Sequence, residues 1–245
     1  MIEAVHRGKL IWKAALVFAF LQIASCAEFP SKGGTQEIKL IFTMTVAGNI
    51  QDDPVSPYVY IVAMYPSTDL HPTVHGPEPV IAPPWGNGIV AGNATAFVSY
   101  SLVGQPYDYT IYQFQDPNLV TYQVAYNPVP ISSLSVNGGK TIQFEIALSQ
   151  LAPKAYDTSQ LKSVLVNFLT MDRIRTGSDA TTKYWDALGD SRSVSSITDT
   201  VWIPLDHSAT YDNNTPPNDG LEPTGDCPAS PNLDITNFSV QVVVP

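Results

Sequence analysis

Apolar residues that alternate one by one with other residues recur along this chain, and this two-residue period narrows the possible folds more than any other feature. The period is clearest in residues 37–47, where every second residue is apolar: Ile38, Leu40, Phe42, Met44 and Val46. Residues 140–148 and 237–244 repeat it. Because successive side chains of a β-strand point to opposite faces of the sheet, each segment is predicted to be a strand with one face against a core.

Further apolar segments bring the prediction to about nine strands. The predicted strands are residues 37–47, 58–65, 94–103, 107–114, 119–126, 140–148, 161–170, 200–205 and 236–244. Residues 58–65 are apolar on both faces, which is typical of a central strand. Residues 66–93, rich in proline and glycine, are predicted to form a long loop, and residues 182–188 one or two helical turns ended by Gly189.

The 21 prolines and 15 glycines of this 245-residue chain imply many turns and few long helices. Strands and helices do not alternate along the chain, as a parallel sheet would require. An all-β fold is therefore predicted, a single antiparallel β-sandwich of the jelly-roll kind with long loops. Its terminal strands, residues 37–47 and 236–244, are expected to pair.

The charge balance of the chain is acidic. Its 12 lysine and arginine residues stand against 22 aspartate and glutamate residues, which gives a net charge of -10. Proteins that bind nucleic acid neutralise phosphates with a basic surface, so a nucleic-acid partner is not expected. The same negative charge repels anionic lipid headgroups, and any attachment to a membrane would depend on other forces.

The N-terminus has the features of an export signal. Arg7, Lys9 and Lys13 form a basic start, and the apolar residues 14–21 follow. This apolar stretch is shorter than the ~20 residues that a membrane-spanning helix needs. Residues 23–26, Ile-Ala-Ser-Cys, then resemble the lipobox of bacterial lipoproteins.

The lipobox resemblance implies a diacylglycerol on the Cys26 thiol and cleavage before Cys26. Residues 1–25 would be the signal peptide, residues 26–36 a lipidated flexible tether, and residues 37–245 the β-sandwich domain. The protein would then be held on the extracytoplasmic face of a bacterial cell membrane or outer membrane by its acyl chains. The alternative is an ordinary signal peptide with cleavage near Ala27.

Aromatic residues are the candidates for ligand contact. Trp85 lies among turn-forming residues, and Tyr107 and Trp185 are further candidates. Exposed aromatic faces stack on sugar C–H faces or on partner side chains. The alternative is that most of these rings fill the core of the sandwich or cover its ends.

The mature domain also resembles, loosely, family 9 carbohydrate-binding modules and DOMON-like sandwiches. The resemblance is carried by the apolar strand 38–46, the acidic turn at residues 52–53, the tyrosine-rich strand 58–65, and the strand 165–168 that precedes residues 171–173, Met-Asp-Arg. It implies a jelly roll with a sugar or haem ligand at one end.

Acidic and amide side chains are concentrated in residues 206–232, and Ca²⁺ takes 6–8 such oxygen ligands. Asp212, Asn214 and Asp219 are the candidate ligands. The spacing does not fit an EF-hand, and a solvated loop without a metal is the alternative. Cys227 is expected to be a lone thiol without a role.

Three functions follow from these features. The first is a lipid-anchored ligand-binding module, with a glycan as candidate ligand. The second is a structural or assembly lipoprotein that contacts envelope proteins. The third is a glycan-acting hydrolase, which would need two carboxylates facing each other across a cleft; Asp52, Asp53, Asp172 and Asp186 are available for this role. No nucleophile elbow, phosphate-binding loop or zinc-protease motif is present, so no catalytic residue is predicted.

Overall fold

The computed structural model describes residues 37–51, 58–100, 107–136, 138–151, 157–177, 181–193 and 198–245. The strands in these ranges are β1 (Lys39–Val46), β2 (Val59–Ser67), β3 (Pro77–Pro79), β4 (Val90–Gly92), β5 (Ala96–Tyr100), β6 (Tyr109–Phe114), β7 (Tyr122–Val124), β8 (Ser132–Ser133), β9 (Thr141–Ala147), β10 (Ser163–Met171), β11 (Trp185–Ala187), β12 (Val201–Pro204), β13 (Ala209–Asp212) and β14 (Ile235–Val243). Two short 3₁₀ helices span Leu148–Gln150 and Thr158–Gln160.

Two large antiparallel sheets form the sandwich. The five-stranded sheet has the order β13-β14-β1-β9-β8. The seven-stranded sheet has the order β11-β10-β2-β5-β6-β7, and β12 also pairs with β10. Strand β10 pairs with β2 along its whole length, while β12 and β11 pair with its first and last parts. A two-stranded sheet, β3-β4, completes the set. The predicted fold class, an all-β antiparallel sandwich, is confirmed.

The main core lies between the two large sheets and is built from the alternating faces of their strands. In β1 the burial alternates without a break, and Phe42 stacks on its cross-strand neighbour Phe144 at 5.2 Å between ring centroids. Phe168 of the opposite sheet meets the Phe42 ring edge-on at 6.4 Å. The predicted pairing of the terminal strands is also present, since Lys39 of β1 lies opposite Val243 of β14.

A second apolar cluster covers the other face of the seven-stranded sheet. Ile61 of β2 and Phe97 of β5 point to this face, and Ile89 and Val90 from the β3–β4 segment pack against them. This explains why the β2 sequence is apolar on both faces: one face lies in the sandwich and the other under a covering segment. Residues 66–93, predicted to be a long loop, are therefore in part a short sheet that buries apolar surface.

Two further sequence predictions differ from the structure. Residues 182–188 do not form a helical turn, because residues 185–187 pair with Leu169, Thr170 and Met171 of β10 as strand β11. Segment 206–232 is not a solvated loop throughout. Its residues 209–212 form β13 against β14, and Glu222 and Asp226 are buried.

Polar bonds join the two sheets at one end of the sandwich. The Thr170 hydroxyl on β10 donates to the Leu233 carbonyl at 2.6 Å, just before β14 begins. The Asp186 carboxylate on β11 accepts from the Ile235 amide of β14, also at 2.6 Å. Each sheet thus contributes one partner to each bond.

Candidate functional site

A groove of about 570 Å³ lies beside the outer apolar cluster. One wall comes from the β3–β4 segment, with Glu78, Val80 and Trp85, and the other from the turn after β6, with Asn118 and Val120. Ligand sites of small molecules commonly measure about 300–1,000 Å³. The groove therefore has the size of a small-molecule site.

The Asn87 side chain fixes the two groove walls to each other. It is buried, and its amide donates to the Val90 carbonyl at 2.7 Å and to the Leu119 carbonyl at 2.6 Å. Its side-chain oxygen accepts from the Ile89 and Val90 amides, both at 2.8 Å. Because the side chain bonds backbone on both walls, the groove is shaped before any ligand enters.

Lys183 supports the same wall from inside the protein. Its ammonium group donates to the Val80 carbonyl at 2.8 Å and to the Gly88 carbonyl at 2.7 Å, and it lies 5.9 Å from the centroid of the Trp85 ring. Burial lowers the pKa of Lys183 to about 8, although the charge of Asp172 acts in the opposite direction. Gly88 has a positive φ of 79°, and a side chain there would collide with the Arg175 carbonyl.

Glu78 contributes a carboxylate to the groove. Burial raises the pKa of Glu78, and the imidazole of His75 partly offsets this rise. The His75 ring nitrogen lies 3.9 Å from the Glu78 carboxylate. The groove thus carries a hydrogen-bonding acid beside apolar side chains.

The three predicted aromatic ligand-binding residues do not lie together. Trp85 lines the groove, but only 4% of it is exposed, so it offers a ligand little of its face. Tyr107 is 46% exposed, and Trp185 is half-buried against the outer apolar cluster. Among the described residues that line the groove, neither Tyr107 nor Trp185 is present, nor is any residue of segment 206–232.

A second site consists of buried carboxylates. Asp186, Asp226 and Asp234 each place a carboxylate oxygen within 4.8 Å of the others, and all three side chains are buried. Asp186 lies on β11, while Asp234 directly precedes β14. The aspartates therefore meet where the two sheets are joined by hydrogen bonds. The predicted helical turn at 182–188 would have placed Asp186 differently.

Backbone N–H groups hold each of these aspartates in place. The donors are Ala187 and Ile235 for Asp186, Ser191 for Asp226, and Gly225 and Cys227 for Asp234, at 2.6–3.1 Å. Asp226 Oδ1 is buried and has no hydrogen-bond partner. The aspartates are thus oriented by backbone and yet keep lone pairs without a donor.

Glu222 adds a fourth buried carboxylate to the aspartates. Only 2% of it is exposed, and neither carboxylate oxygen has a hydrogen-bond partner. Burial raises the pKa of Glu222 most, followed by the charges of Asp186, Asp226 and Asp234, so its carboxylate lies near theirs. The Gly189 amide acts against this rise, and it donates its hydrogen bond to the Leu221 carbonyl at 3.1 Å. We call these four residues the carboxylate cluster.

Burial also raises the pKa of Asp186 and of Asp226. For Asp186 the next cause is the charge of Asp226. For Asp226 the hydrogen bond from Ser191 acts against the rise, and the charge of Asp234 adds to it. Among the ion pairs between described residues, none includes a member of the carboxylate cluster. The cluster thus concentrates acidic groups without a basic partner in contact.

The predicted Ca²⁺ ligands lie outside this cluster. Asp212 accepts a hydrogen bond from the Asn214 amide at 2.9 Å, which is a local turn, and Asp219 is exposed. The structure instead brings together other acids of segment 206–232, Glu222 and Asp226, with two from elsewhere. The local sequence does not indicate which acidic residues come together, because Asp186 and Asp234 reach the cluster only through strand pairing.

Cys227 borders the carboxylate cluster. Its thiol is buried and donates to the Trp185 carbonyl at 3.5 Å. Burial raises the pKa of Cys227 to about 12, and the charge of Asp186 adds to this rise. The thiol is therefore protonated at neutral pH, which makes it a poor nucleophile.

An uncharged surface follows one edge of the sandwich. Residues 117–139 contain no charged side chain, and they supply the edge strands β7 and β8 of the two large sheets. The exposed apolar side chains of this edge surface are Val120, Tyr122, Val124, Tyr126, Val129, Ile131 and Leu134. Exposed apolar residues grouped in this way are typical of an interaction surface.

No protein family, curated protein or solved structure matches this chain. The lipobox residues 23–26 and the acidic residues 52–53 lie outside the described residues, so lipidation of Cys26 stays a prediction. Within the described residues, no helix has the length and hydrophobicity that crossing a membrane requires.

Proposed function

We propose that this chain is a membrane-anchored extracytoplasmic lipoprotein whose β-sandwich binds a small hydroxylated ligand, of which a carbohydrate is the leading candidate, in the groove beside Trp85. The observation that carries the proposal is a groove of about 570 Å³ whose walls are held by buried hydrogen bonds. A site that is shaped before binding spends less free energy on ordering its own residues when the ligand enters.

The lining of the groove favours a neutral ligand with both hydroxyl groups and C–H surfaces. Glu78 and Asn118 offer an acceptor and an amide, while Val80, Pro84 and Val120 offer apolar contact. The net charge of -10 disfavours anionic ligands. A sugar ring combines these requirements, because its hydroxyl groups surround apolar C–H faces.

The groove is tested with the full chain, purified in detergent, on a glycan array followed by calorimetry with any retained glycan. Glu78→Gln and Asn118→Ala are expected to weaken binding roughly tenfold each. The first replaces an acceptor oxygen with an NH2 group and the second removes the amide, and a hydrogen bond lost in either way costs about 1–1.5 kcal/mol. Glu145→Gln is the matched control, because Glu145 lies on the five-stranded sheet, where it pairs with Lys39 at 3.0 Å. If no glycan is retained, or if all three variants bind like the parent chain, a sugar site in this groove is ruled out.

The anchor is supported by the sequence of residues 1–26, with a basic start, a short apolar stretch and a cysteine after two small residues. Ten residues, 27–36, separate Cys26 from the β-sandwich and reach at most about 33 Å when extended. Intact mass measurement of the protein from bacterial membranes is expected to show loss of residues 1–25 and two or three acyl chains. Cys26→Ser is expected to abolish both changes, and a bare thiol on the native chain would contradict the proposal.

A second function, assembly with envelope proteins, is favoured by the edge surface. An uncharged apolar surface on an acidic protein suits a partner protein with an apolar face of its own. A photo-cross-linking residue at Tyr126 is expected to capture a defined protein in cells, while the same residue at exposed Tyr184 is not. Equal capture at both positions, or none, would count against assembly through this edge.

A further inference from the structure

We propose that the carboxylate cluster, Asp186, Glu222, Asp226 and Asp234, binds one divalent cation, preferentially Ca²⁺, at the end of the sandwich where the two sheets are joined. Three of these residues place oxygens within 4.8 Å of one another. Two ligands on opposite sides of one Ca²⁺ lie about 4.6–5.2 Å apart, twice the Ca²⁺–oxygen distance. The spacing thus suits ligands of a single ion.

The unpartnered oxygens are a second and independent indication of a ligand. Both oxygens of Glu222 and Oδ1 of Asp226 are buried without a hydrogen-bond partner. Leaving a buried acceptor without a partner costs about 1–3 kcal/mol, and an unpaired buried charge costs more. A cation that accepts these lone pairs would remove the cost at all three atoms.

The cluster also lacks a protein cation in contact. The charges of Asp226 and Asp234 do act on Arg192, but Asp190 raises the pKa of this arginine most. Arg192 pairs with partly exposed Asp190 at 2.7 Å, outside the cluster. Buried charges are normally paired or bound to a metal, and here the described residues provide no pair.

The chemistry of the donor set favours Ca²⁺ over softer metals. All four side chains offer carboxylate oxygen, whereas the neighbouring Cys227 thiol is bonded to the Trp185 carbonyl. Zinc prefers nitrogen and sulfur ligands, whereas Ca²⁺ prefers oxygen. The backbone N–H groups that hold the aspartates act as a supporting shell that orients the ligands.

The test uses the full chain in detergent, stripped with EDTA and titrated with CaCl₂ alone. Calcium is expected to raise the melting temperature of the parent chain by roughly 5 °C, because a ligand that binds only the folded state stabilises that state. Terbium, a luminescent substitute for calcium, is expected to occupy one site and to be sensitised by Trp185, the residue before Asp186. Titration with MgCl₂ is expected to produce a smaller shift.

Glu222→Gln and Asp226→Asn are expected to weaken Ca²⁺ binding at least tenfold. Asp212→Asn and Asp219→Asn are the matched controls, because they remove the same charge from the same segment outside the cluster. Glu222→Gln is also expected to melt no lower than the parent chain without calcium, because the buried carboxyl group has no hydrogen-bond partner that the substitution would remove.

Two results would overturn the proposal: no shift with calcium in the parent chain, or equal loss of binding in the two control variants. A Glu222→Gln protein that is less stable than the parent without calcium, but gains the full calcium shift, would overturn it too. The groove and the cluster share no residue, so failure of glycan binding leaves this inference unaffected.

Discussion

At the scale of single residues, Lys183 shows how burial rather than residue type decides a role. Its ammonium group is removed from water and bonded to two carbonyl groups of the groove wall. Taking a charge out of water is unfavourable, and the pKa of Lys183 falls to about 8 for this reason. The residue strengthens the wall through its hydrogen bonds and weakens the fold through its charge.

The buried charge of Lys183 predicts that the stability of the fold depends on pH. The pKa of Lys183 is about 8 in the folded chain and 10.5 in the unfolded chain, so between these values the unfolded chain holds the extra proton. Stability therefore rises with pH in this window. From pH 8 to 9.5, the unfolding free energy of the parent chain is expected to gain about 1–2 kcal/mol relative to Lys183→Met, by urea denaturation. A difference that stays constant with pH would contradict this.

Residue type was also a poor guide to the acidic sites. Asp212, Asn214 and Asp219 were predicted as ligands, whereas Glu222 and Asp226 of the same polar segment were not. Burial separates them, and burial depends on distant parts of the chain. Trp85 shows the same limit: it lines the groove, but its ring is 4% exposed, and its stacking role stays a prediction.

At the scale of elements, long alternating strands could be read from the sequence almost to the residue. Residues 37–47 were predicted and β1 spans Lys39–Val46, because strict alternation leaves one choice of buried face. Some strands of three or four residues gave no such signal, although the four-residue strand β12 lies within the predicted strand 200–205. β11 was mistaken for a helical turn, and β13 was hidden in a polar segment, because both depend on a partner strand.

The alternation in β1 predicts that substitutions on its two faces differ in their effect on stability. Phe42→Ala is expected to lower the unfolding free energy by about 3–5 kcal/mol, because it leaves a cavity between the sheets. Ile41→Ala, one residue away on the half-buried face, is expected to cost about 1 kcal/mol. Urea denaturation of both variants measures the difference. Similar losses would mean that the two faces of β1 are equally buried.

At the scale of the whole molecule, the fold was predictable and the sites were not. An antiparallel sandwich is specified by repeated local patterns and turns, each visible in a short window. The carboxylate cluster forms only when distant segments fold against each other, since Asp186 and Glu222 lie in separate parts of the chain. The groove likewise joins residues near 80 to residues near 118. A pattern within one short segment does not show which distant segments come together in the fold.

Because both large sheets share one core, the molecule is expected to unfold in a single transition. Tryptophan fluorescence reports on the seven-stranded sheet, where Trp185 and Trp202 lie, and circular dichroism reports on all strands. The two melting curves are expected to coincide. Separate midpoints would show that the sheets unfold independently.

Two of the hydrogen bonds that join the sheets have a kinetic consequence. Apolar contacts between layers have no fixed direction and permit small shear, whereas Thr170–Leu233 and Asp186–Ile235, each 2.6 Å long, fix one layer against the other at this end of the sandwich. In hydrogen–deuterium exchange, the Ile235 amide should therefore be among the slowest to exchange, retained until the layers separate completely.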